Sequence, residues 1–432
     1  MDRDSRLRST GLHLLSYKTV SNILPQGLAT LVNYPEISLE LFQHTVSTLP
    51  LLRIFSVFLS AAVSSFWILI AHSIAKSLST AVKSRRSLCN ITSVDLRITA
   101  IIPTSFPELK LLRLTISKLL SSKNVEEVIV VDNSPTPRPY TELISMQPRY
   151  PKFIYIKLFS IPTGHCPKPY ACYIGYAVSK GRILLFTDDD TLIEASSAET
   201  LACTALRKNA LASPVPRFAC TSTMCRMLET VITTLVHGLV GLDKAVRGKY
   251  PWFYGCCWAI PRSLYENLGT HKQVLGTIVE DAMLARIALA KNIKIVFIQG
   301  LEVSTYWHNS LKNCVEALLR NLIPFIDKKT LLTLFSLLLV AYASPLILEV
   351  LGYLSRDLCI CLAGLFLYVA ASYAHVHATR LNNYRAYYLL THVVGGTVLF
   401  VTLLLSTPRT RFVTWRGRAI ETTKRYCKCV SP

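Results

Sequence analysis

The sequence predicts an α/β domain with a mostly parallel sheet, set between apolar helices long enough to cross a membrane. Three observations lead there. Between residues 96 and 327, short apolar runs alternate with stretches of helical periodicity. Four long apolar segments lie outside that region, and none lies inside it. The stretch Gly181–Leu192, GRILLFTDDDTL, ends an apolar run in three consecutive aspartates, in a chain with 26 acidic residues against 47 basic ones.

Residues 1–50 are of mixed composition and read as a surface segment without assigned structure. Leu51–Ala75 is nearly charge-free and exceeds the ~20 residues that a span needs. It begins too far into the chain, and lacks the small-residue cleavage site, to read as a signal peptide. The first strand is expected over 96–103, followed by a helix over 108–120 with Leu109, Leu112, Ile116 and Leu119 on one face. Strands at 126–135, ending on Asp132, and at 152–159 come next, then a helix over 171–180 that leads into the GRILLF strand. Ile183–Phe186 is too short for a helix and lacks polar alternation, so it reads as a strand buried on both faces.

The second half departs from alternation. Pro214–Arg217 reads as a loop, Arg226–Lys244 as a helix, and 248–269 as an aromatic-rich segment. Residues 276–298 give a helix opening on Glu280-Asp281 and then a strand. Residues 310–323 form an amphipathic helix expected to lie along the membrane interface. The soluble domain is thus bounded at 96–327. The C-terminal region 331–406 holds three candidate spans, 331–354, 358–374 and 386–406, before a basic tail over 407–432.

The basic excess clusters beside the spans, at Lys83, Arg85 and Arg86, at Lys328-Lys329, and from Arg409 to Lys428. This is the positive-inside pattern of an integral, multi-pass protein with a cytosolic soluble domain. No zinc-finger spacing or aromatic RNA-binding strand accompanies the charge, so nucleic acid is not expected as a partner. Thirteen cysteines without a C-x-x-C pair fit a reducing compartment. Three C-terminal crossings would put the basic tail on the side opposite Lys328-Lys329. Pro345 and Glu349 within 331–354, and the shortness of 358–374, mark one of those two segments as a hairpin or re-entrant piece. An even number of crossings and a cytosolic tail are therefore expected.

Adjacent carboxylates repel unless a cation sits among them. One aspartate, Asp190, or Thr191 would suffice to cap the next helix. Three favour a divalent cation, Mg²⁺ or Mn²⁺, held by Asp188 and Asp190 and shared with phosphates. Asp189, between them on an extended backbone, points the other way. Two further acidic sites stand at element ends: Asp132, and Glu280-Asp281.

The order and spacing of these sites resemble the family-2 glycosyltransferases, inverting enzymes of GT-A fold (Rossmann-like, with a mostly parallel sheet). The resemblance covers about residues 97–325. AIIPTSFPE (100–108) is similar to that family's opening strand and loop, which puts Pro103 on the donor side. VIVVDNSP (128–135) resembles the strand whose aspartate, here Asp132, binds the base or ribose of a nucleotide sugar. GYAVSKGRILLFTDDDT (175–191) resembles the helix–strand–DxD unit, with Asp188 and Asp189 on the donor and Asp188 and Asp190 on the metal. YGCCWAIPRSLYENLG (254–269) is similar to the acceptor-side segment, and IVEDAMLARIALAKNIKI (278–295) to the segment of the catalytic base.

The resemblance implies a nucleotide-sugar donor, a UDP-sugar first, and a lipid or lipid-linked acceptor. Inversion by direct displacement requires a base for the attacking hydroxyl. Asp281 is the first candidate and Glu280 its rival; the plainer role for both is to complement a helix dipole. Trp252, Tyr254, Gly255 and Trp258 fall on the acceptor side, where aromatic faces suit sugars and lipid chains, although a plain core explains about half of the aromatics. Processive synthases carry Q-x-x-R-W before their C-terminal spans. Here Ala317-Leu318-Leu319-Arg320-Asn321 keeps only Arg320, which suits either pyrophosphate or a lipid headgroup. VTWRGRAIE (413–421) resembles a tail of ceramide-glucosyltransferase-like members, with Ile420 replacing its tyrosine. Trp415 and Arg416 there either close over the site or anchor the tail at the interface. The competing functions are a processive polysaccharide synthase and an inactive membrane scaffold of the same fold.

Overall fold

The computed structural model of the protein describes residues 35–83, 95–306, 311–322, 328–405, 412–415, 418–422 and 427–429. Helix α1 (Pro35–Thr80) is followed by a two-residue strand, β1 (Val82–Lys83). The expected alternation then appears: β2 (Ile98–Thr104), α2 (Leu109–Leu120), β3 (Val125–Asp132), α3 (Arg138–Ile144), β4 (Phe153–Lys157), α4 (Pro167–Val178), β5 (Ile183–Thr187), β6 (Thr191–Ile193) and α5 (Ala195–Lys208). Next come β7 (Ala210–Pro214), β8 (Arg217–Phe218), α6 (Thr223–Leu235), a π-helical turn Val236–Val240 and α7 (Leu242–Val246). The domain closes with β9 (Cys257–Pro261), α8 (Arg262–Leu268), α9 (Glu280–Ala290), β10 (Lys294–Gln299) and β11 (Val303–Thr305).

The main sheet has eight strands in the order β1-β10-β7-β9-β5-β2-β3-β4. All run parallel except β9, which is antiparallel to both β5 and β7. Successive residues of β2 serve opposite faces, as the two-residue period requires. Ile98, Ala100 and Ile102 join Leu112, Ile116 and Leu119 of α2 on one face, while Ile101 joins Phe186, Trp258 and Tyr265 on the other. Covering both faces explains the unbroken apolar runs of the central strands. β7, by contrast, reads ALASP and has no β-branched residue. Its small side chains let α5 cross closely, and its strand character comes from pairing with β10, which local sequence does not display.

Helix α10 (Leu311–Leu322) leads to α11 (Lys328–Ser355), α12 (Leu358–Leu381), a 3₁₀ turn Ala386–Thr391 and α13 (His392–Leu405). Length and apolarity give four candidate membrane spans among the described residues: Leu49–Thr80, Lys329–Ser355, Leu358–Leu381 and Ala386–Leu404. Large apolar residues such as Leu332, Ile347, Leu354, Leu362 and Phe366 stand exposed on them, as lipid-facing residues do. The break expected at Pro345 is absent, and α11 runs through it. Gly364 of α12 explains how: a Cβ there would lie 3.1 Å from Pro345 O, Leu348 Cβ and Glu349 Oε1, so the helices touch backbone to backbone and Glu349 faces its neighbour. Asp357 separates the two helices by capping α12, accepting from the backbone amides of Cys359 (2.9 Å) and Ile360 (3.3 Å).

The directions of these helices settle where the chain turns back. α12 is antiparallel to α11, with Cys361 against Gly352 and Gly364 against Pro345. α13 is antiparallel to α11 as well, with Gly396 against Tyr342 and Phe400 stacked on Phe335 at 4.1 Å. Two consecutive helices pointing the same way require the link between them to climb back along the bundle. It does so: Tyr384 donates to Phe218 O beside the sheet, and Leu390 O accepts from Tyr368 well inside α12. The turned-back segment is thus 386–405, not 331–354 or 358–374. Its even apolarity hides this, because nothing in its sequence marks a half-depth start.

Among the remaining described residues, β12 (Phe412–Trp415), β13 (Arg418–Thr422) and β14 (Cys427–Cys429) form an antiparallel sheet, where the sequence suggests only a basic tail. β12 lies against α10. A disulfide joins Cys225 of α6 to Cys314 of α10, against the expectation of reduced thiols throughout. The packing of these two helices puts their Cα atoms 6.4 Å apart, within bridging range.

Candidate active site

The C-terminal edge of the parallel strands gathers the acidic sites, as open α/β sheets do with their ligands. β5 ends at Thr187, and the Asp188 amide donates to Cys256 O (2.9 Å), which ties the aspartate run to the segment before β9. Asp188 and Asp190 are half-buried, whereas Asp189 is 2% exposed and turned the other way. Its Oδ2 accepts from the Thr104 hydroxyl (2.5 Å) and the Ser105 amide (3.4 Å). Asp189 therefore fastens β5 to the loop after β2, and Pro103, paired in register with Val131, sets Thr104 in place for it. The Asp190 carbonyl accepts from the Tyr306 amide (2.8 Å), and Thr305 Oγ1 lies 3.5 Å from Asp190 Oδ1.

A lysine absent from the sequence-level site stands at its centre. Lys168 Nζ lies 2.8 Å from Asp188 Oδ1, 3.1 Å from Asp188 Oδ2 and 2.9 Å from Glu280 Oε1, and it also reaches Gly255 O at 3.4 Å. It joins Asp188 after β5 to Glu280 at the start of α9. Burial pulls the Lys168 ammonium down, but Asp188, Glu280 and Asp281 outweigh it and hold the group well above its ordinary range. One signal was available in the sequence: Lys168 occupies the first turn of α4, where the helix dipole disfavours a cation. A lysine there calls for carboxylate partners from elsewhere in the fold.

Glu280 and Asp281 open α9 as expected, and the structure separates their roles. Glu280 is 5% exposed and paired with Lys168. Asp281 packs on Gly255, where a Cβ would fall 2.6 Å from its Oδ2, and its Oδ1 accepts from the Ala282 amide (2.7 Å). Burial first, and the Glu280 charge second, push the Asp281 carboxyl up to about 7. Such a carboxylate is ionised near neutral pH yet basic enough to accept a proton.

Three of the candidate site residues are engaged within the fold. Asp132 is fully buried, with Oδ1 accepting from the Ser134 amide (2.7 Å) and Oδ2 from the Tyr155 hydroxyl (2.6 Å) and Lys157 Nζ (2.9 Å). Its carboxylate braces the ends of β3 and β4. Trp258 is 3% exposed and stacks on Phe186 at 4.4 Å, so it belongs to the sheet core and not to an acceptor surface. Tyr254 is also buried, with its hydroxyl 2.9 Å from His237 Nε2, while His237 Nδ1 lies 3.2 Å from Ser77 Oγ in α1. Trp252 is half-buried beside it, at 4.9 Å between rings. The acceptor-side segment is thereby hydrogen-bonded to the end of a candidate span. The side chains of Arg320 and Trp415, and all of Arg416, lie outside the described residues.

A cleft of about 260 Å³ opens between the loops that follow β2 and β3, lined by Phe106, Pro107, Thr136 and Arg138 among others. It adjoins the aspartate run through Thr104 and Ser105. Residues 99–269, which include this cleft, the aspartate run and the acceptor-side segment, match the family model described as glycosyl transferase family 2. This stretch is thus similar to family 2 glycosyltransferase domains. The mostly parallel α/β architecture is the GT-A fold expected of this family. No curated protein matches the chain. Among solved structures the chain is similar to the mannosyltransferase PcManGT from Pyrobaculum calidifontis, in complex with GDP-Man and Mn²⁺. Identity is 17%, over 82% of this chain and 99% of that one, with a TM-score of 0.46. Glu280, the partner of Lys168, and Asp281 lie in α9 just beyond the matched range, at the same edge of the main sheet.

The donor chemistry at the strand end suits a hard divalent cation: Asp188 and Asp190 offer oxygen only and both stay partly exposed. Among the described residues no group of three or more His, Cys, Asp or Glu side chains is assembled for a metal. The remaining ligands would be diphosphate oxygens and water, which is how Mg²⁺ is commonly held at phosphate sites.

Proposed function

We propose that this family 2 glycosyltransferase moves one sugar, with inversion, from a nucleotide-sugar donor to a hydroxyl of a lipid acceptor at the membrane face that carries the domain. The observation that carries the reading is the placement of Asp188 and Asp281 on either side of Lys168 and Gly255 at a single sheet edge. One carboxylate faces the leaving diphosphate and the other the incoming nucleophile, with the reacting carbon between them.

The cleft beside Phe106 receives the nucleoside, for which an exposed aromatic ring at the loop is a stacking surface. Asp188 and Asp190 would hold Mg²⁺ or Mn²⁺, which when bound supplies positive charge for the departing diphosphate. Asp281 accepts the proton of the attacking hydroxyl while Glu280 stays paired with Lys168. The Asp281 environment favours a hydroxyl acceptor, because a nucleophile that is already ionised needs no base. A lipid acceptor is supported by the Tyr254–His237–Ser77 connection, which sets the acceptor side against α1. UDP-sugars are the first donors to try. With the nucleotide made in the cytosol, the domain face is the cytosolic one, in agreement with Lys328-Lys329.

Release of nucleoside diphosphate from a panel of nucleotide sugars by purified membranes, with and without chelator, tests the donor half. Activity that is lost with chelator and restored by Mn²⁺ is expected, and Asp188→Ala and Asp190→Ala should abolish it. Full turnover by both variants at saturating Mn²⁺ removes the metal role.

A further inference from the structure

We propose that Lys168 makes divalent-cation binding at Asp188 conditional on the nucleotide, so that cation and diphosphate are taken up together. This rests on the donor reading above. In the free protein the ammonium sits 2.8 and 3.1 Å from the two oxygens of Asp188 and 2.9 Å from Glu280. With Gly255 O at 3.4 Å, its three donors have three acceptor groups around them. A dication approaching Asp188 would have to share those oxygens with a charge of its own sign, and like charges at contact distance repel.

Nothing else nearby compensates for that loss. No third metal-ligating side chain is assembled among the described residues. The nucleotide-free site thus offers one neutralised carboxylate, Asp188, together with Asp190. A diphosphate changes the balance, because its oxygens attract the ammonium away from Asp188 and add ligands for the cation. Lysine is suited to such a transfer, as a compact point charge on a flexible four-carbon stem. The α4 dipole adds to the effect, since it opposes a cation at the first turn and leaves Lys168 held by the carboxylates alone. When Lys168 leaves Asp188, Glu280 is the carboxylate that still holds it, so donor arrival is felt on the acceptor side.

The test is Mn²⁺ binding to the detergent-solubilised full chain, followed by electron paramagnetic resonance of free Mn²⁺, with no nucleotide and with UDP or GDP. The wild type should bind Mn²⁺ at least about tenfold more tightly with the effective nucleotide than without, and Lys168→Met should gain at least about tenfold in the nucleotide-free state. Lys168→Arg, which keeps the charge, should show the wild-type dependence. Equal nucleotide-free affinity in wild type and folded Lys168→Met overturns the proposal, as does a wild type whose affinity ignores the nucleotide. If Lys168→Met does not fold, Lys168→Gln, which removes the charge and keeps a hydrogen-bond donor, takes its place and should show the same gain in the nucleotide-free state, equal affinity again overturning the proposal. Absence of Mn²⁺ binding in every form, nucleotide included, instead overturns the metal site itself.

Discussion

Gly255 and Asp281 are in contact: a methyl group at position 255 would lie 2.6 Å from the Asp281 carboxylate oxygen and 2.9 Å from its Cβ. The absence of a side chain at 255 thus fixes where Asp281, the proposed general base, stands, and the same glycine offers its carbonyl to Lys168. Gly255→Ala should push the carboxylate aside and lower kcat by about 10²-fold, the usual cost of a misplacement near 1 Å. Donor binding, measured calorimetrically, should stay within about twofold, since Asp188 and Asp190 are untouched. A loss of donor affinity matching the loss in kcat would place Gly255 on the donor side.

The pH dependence follows from Asp281. Burial and Glu280 raise its carboxyl to about 7, and only the ionised form accepts the proton. Activity is therefore full above that value and falls as pH drops through it, by about tenfold per unit in kcat/KM. Glu280→Gln removes a negative neighbour, so the acid limb should move to lower pH. If Glu280→Gln instead abolishes transfer while Asp281→Asn retains it, the base is Glu280.

Asp132 gives a stability prediction that separates a structural carboxylate from a ligand contact. Asp132→Ala would leave Lys157 and Tyr155 facing an emptied, buried site, 12% exposed in the case of the lysine. Breaking a buried pair in this way costs about 3–5 kcal/mol. Thermal unfolding should show a lowered midpoint without any nucleotide present. An unchanged midpoint combined with lost donor binding would return Asp132 to the ligand surface.

The central strands and the aspartate run were legible because they depend on local pattern: apolar runs buried on both faces, with carboxylates at their ends. The opposed directions of Asp188 and Asp189 were also expected, although the chain reaches them through a turn in which the Thr191 amide donates to Asp188 O (3.1 Å) and not through an extended strand. What sequence could not display depends on long-range approach. Lys168 meets Asp188 from 20 residues away and Glu280 from across the sheet, and no spacing rule joins them. Trp258 has the composition of an acceptor pocket and the position of a core residue, a distinction made only by its stacking on Phe186. The turned-back 386–405 segment is equally hidden, since apolarity reports depth and not direction.

That segment makes a topological prediction. α12 and α13 both run toward the end of the bundle where Gln299 Nε2 bonds Leu78 O and Phe218 bonds Asn382. The C-terminal residues, Cys427 and Cys429 among them, should share a membrane side with the family 2 domain. Impermeant thiol labelling in sealed, oriented vesicles should modify them together with a reporter cysteine introduced into the domain at Ser145. Labelling from opposite sides would require a full crossing by 386–405.

The central claim, sugar transfer to a lipid through Asp281, is tested most directly by following radiolabelled sugar from nucleotide-sugar donors into the organic-solvent extract of membranes. Wild type and Asp281→Asn should be compared at equal expression and equal donor affinity. The account predicts one short glycolipid product for wild type and a loss of about 10²–10⁴-fold for Asp281→Asn. Undiminished product from Asp281→Asn, or label found only in long water-soluble polymer, would contradict it.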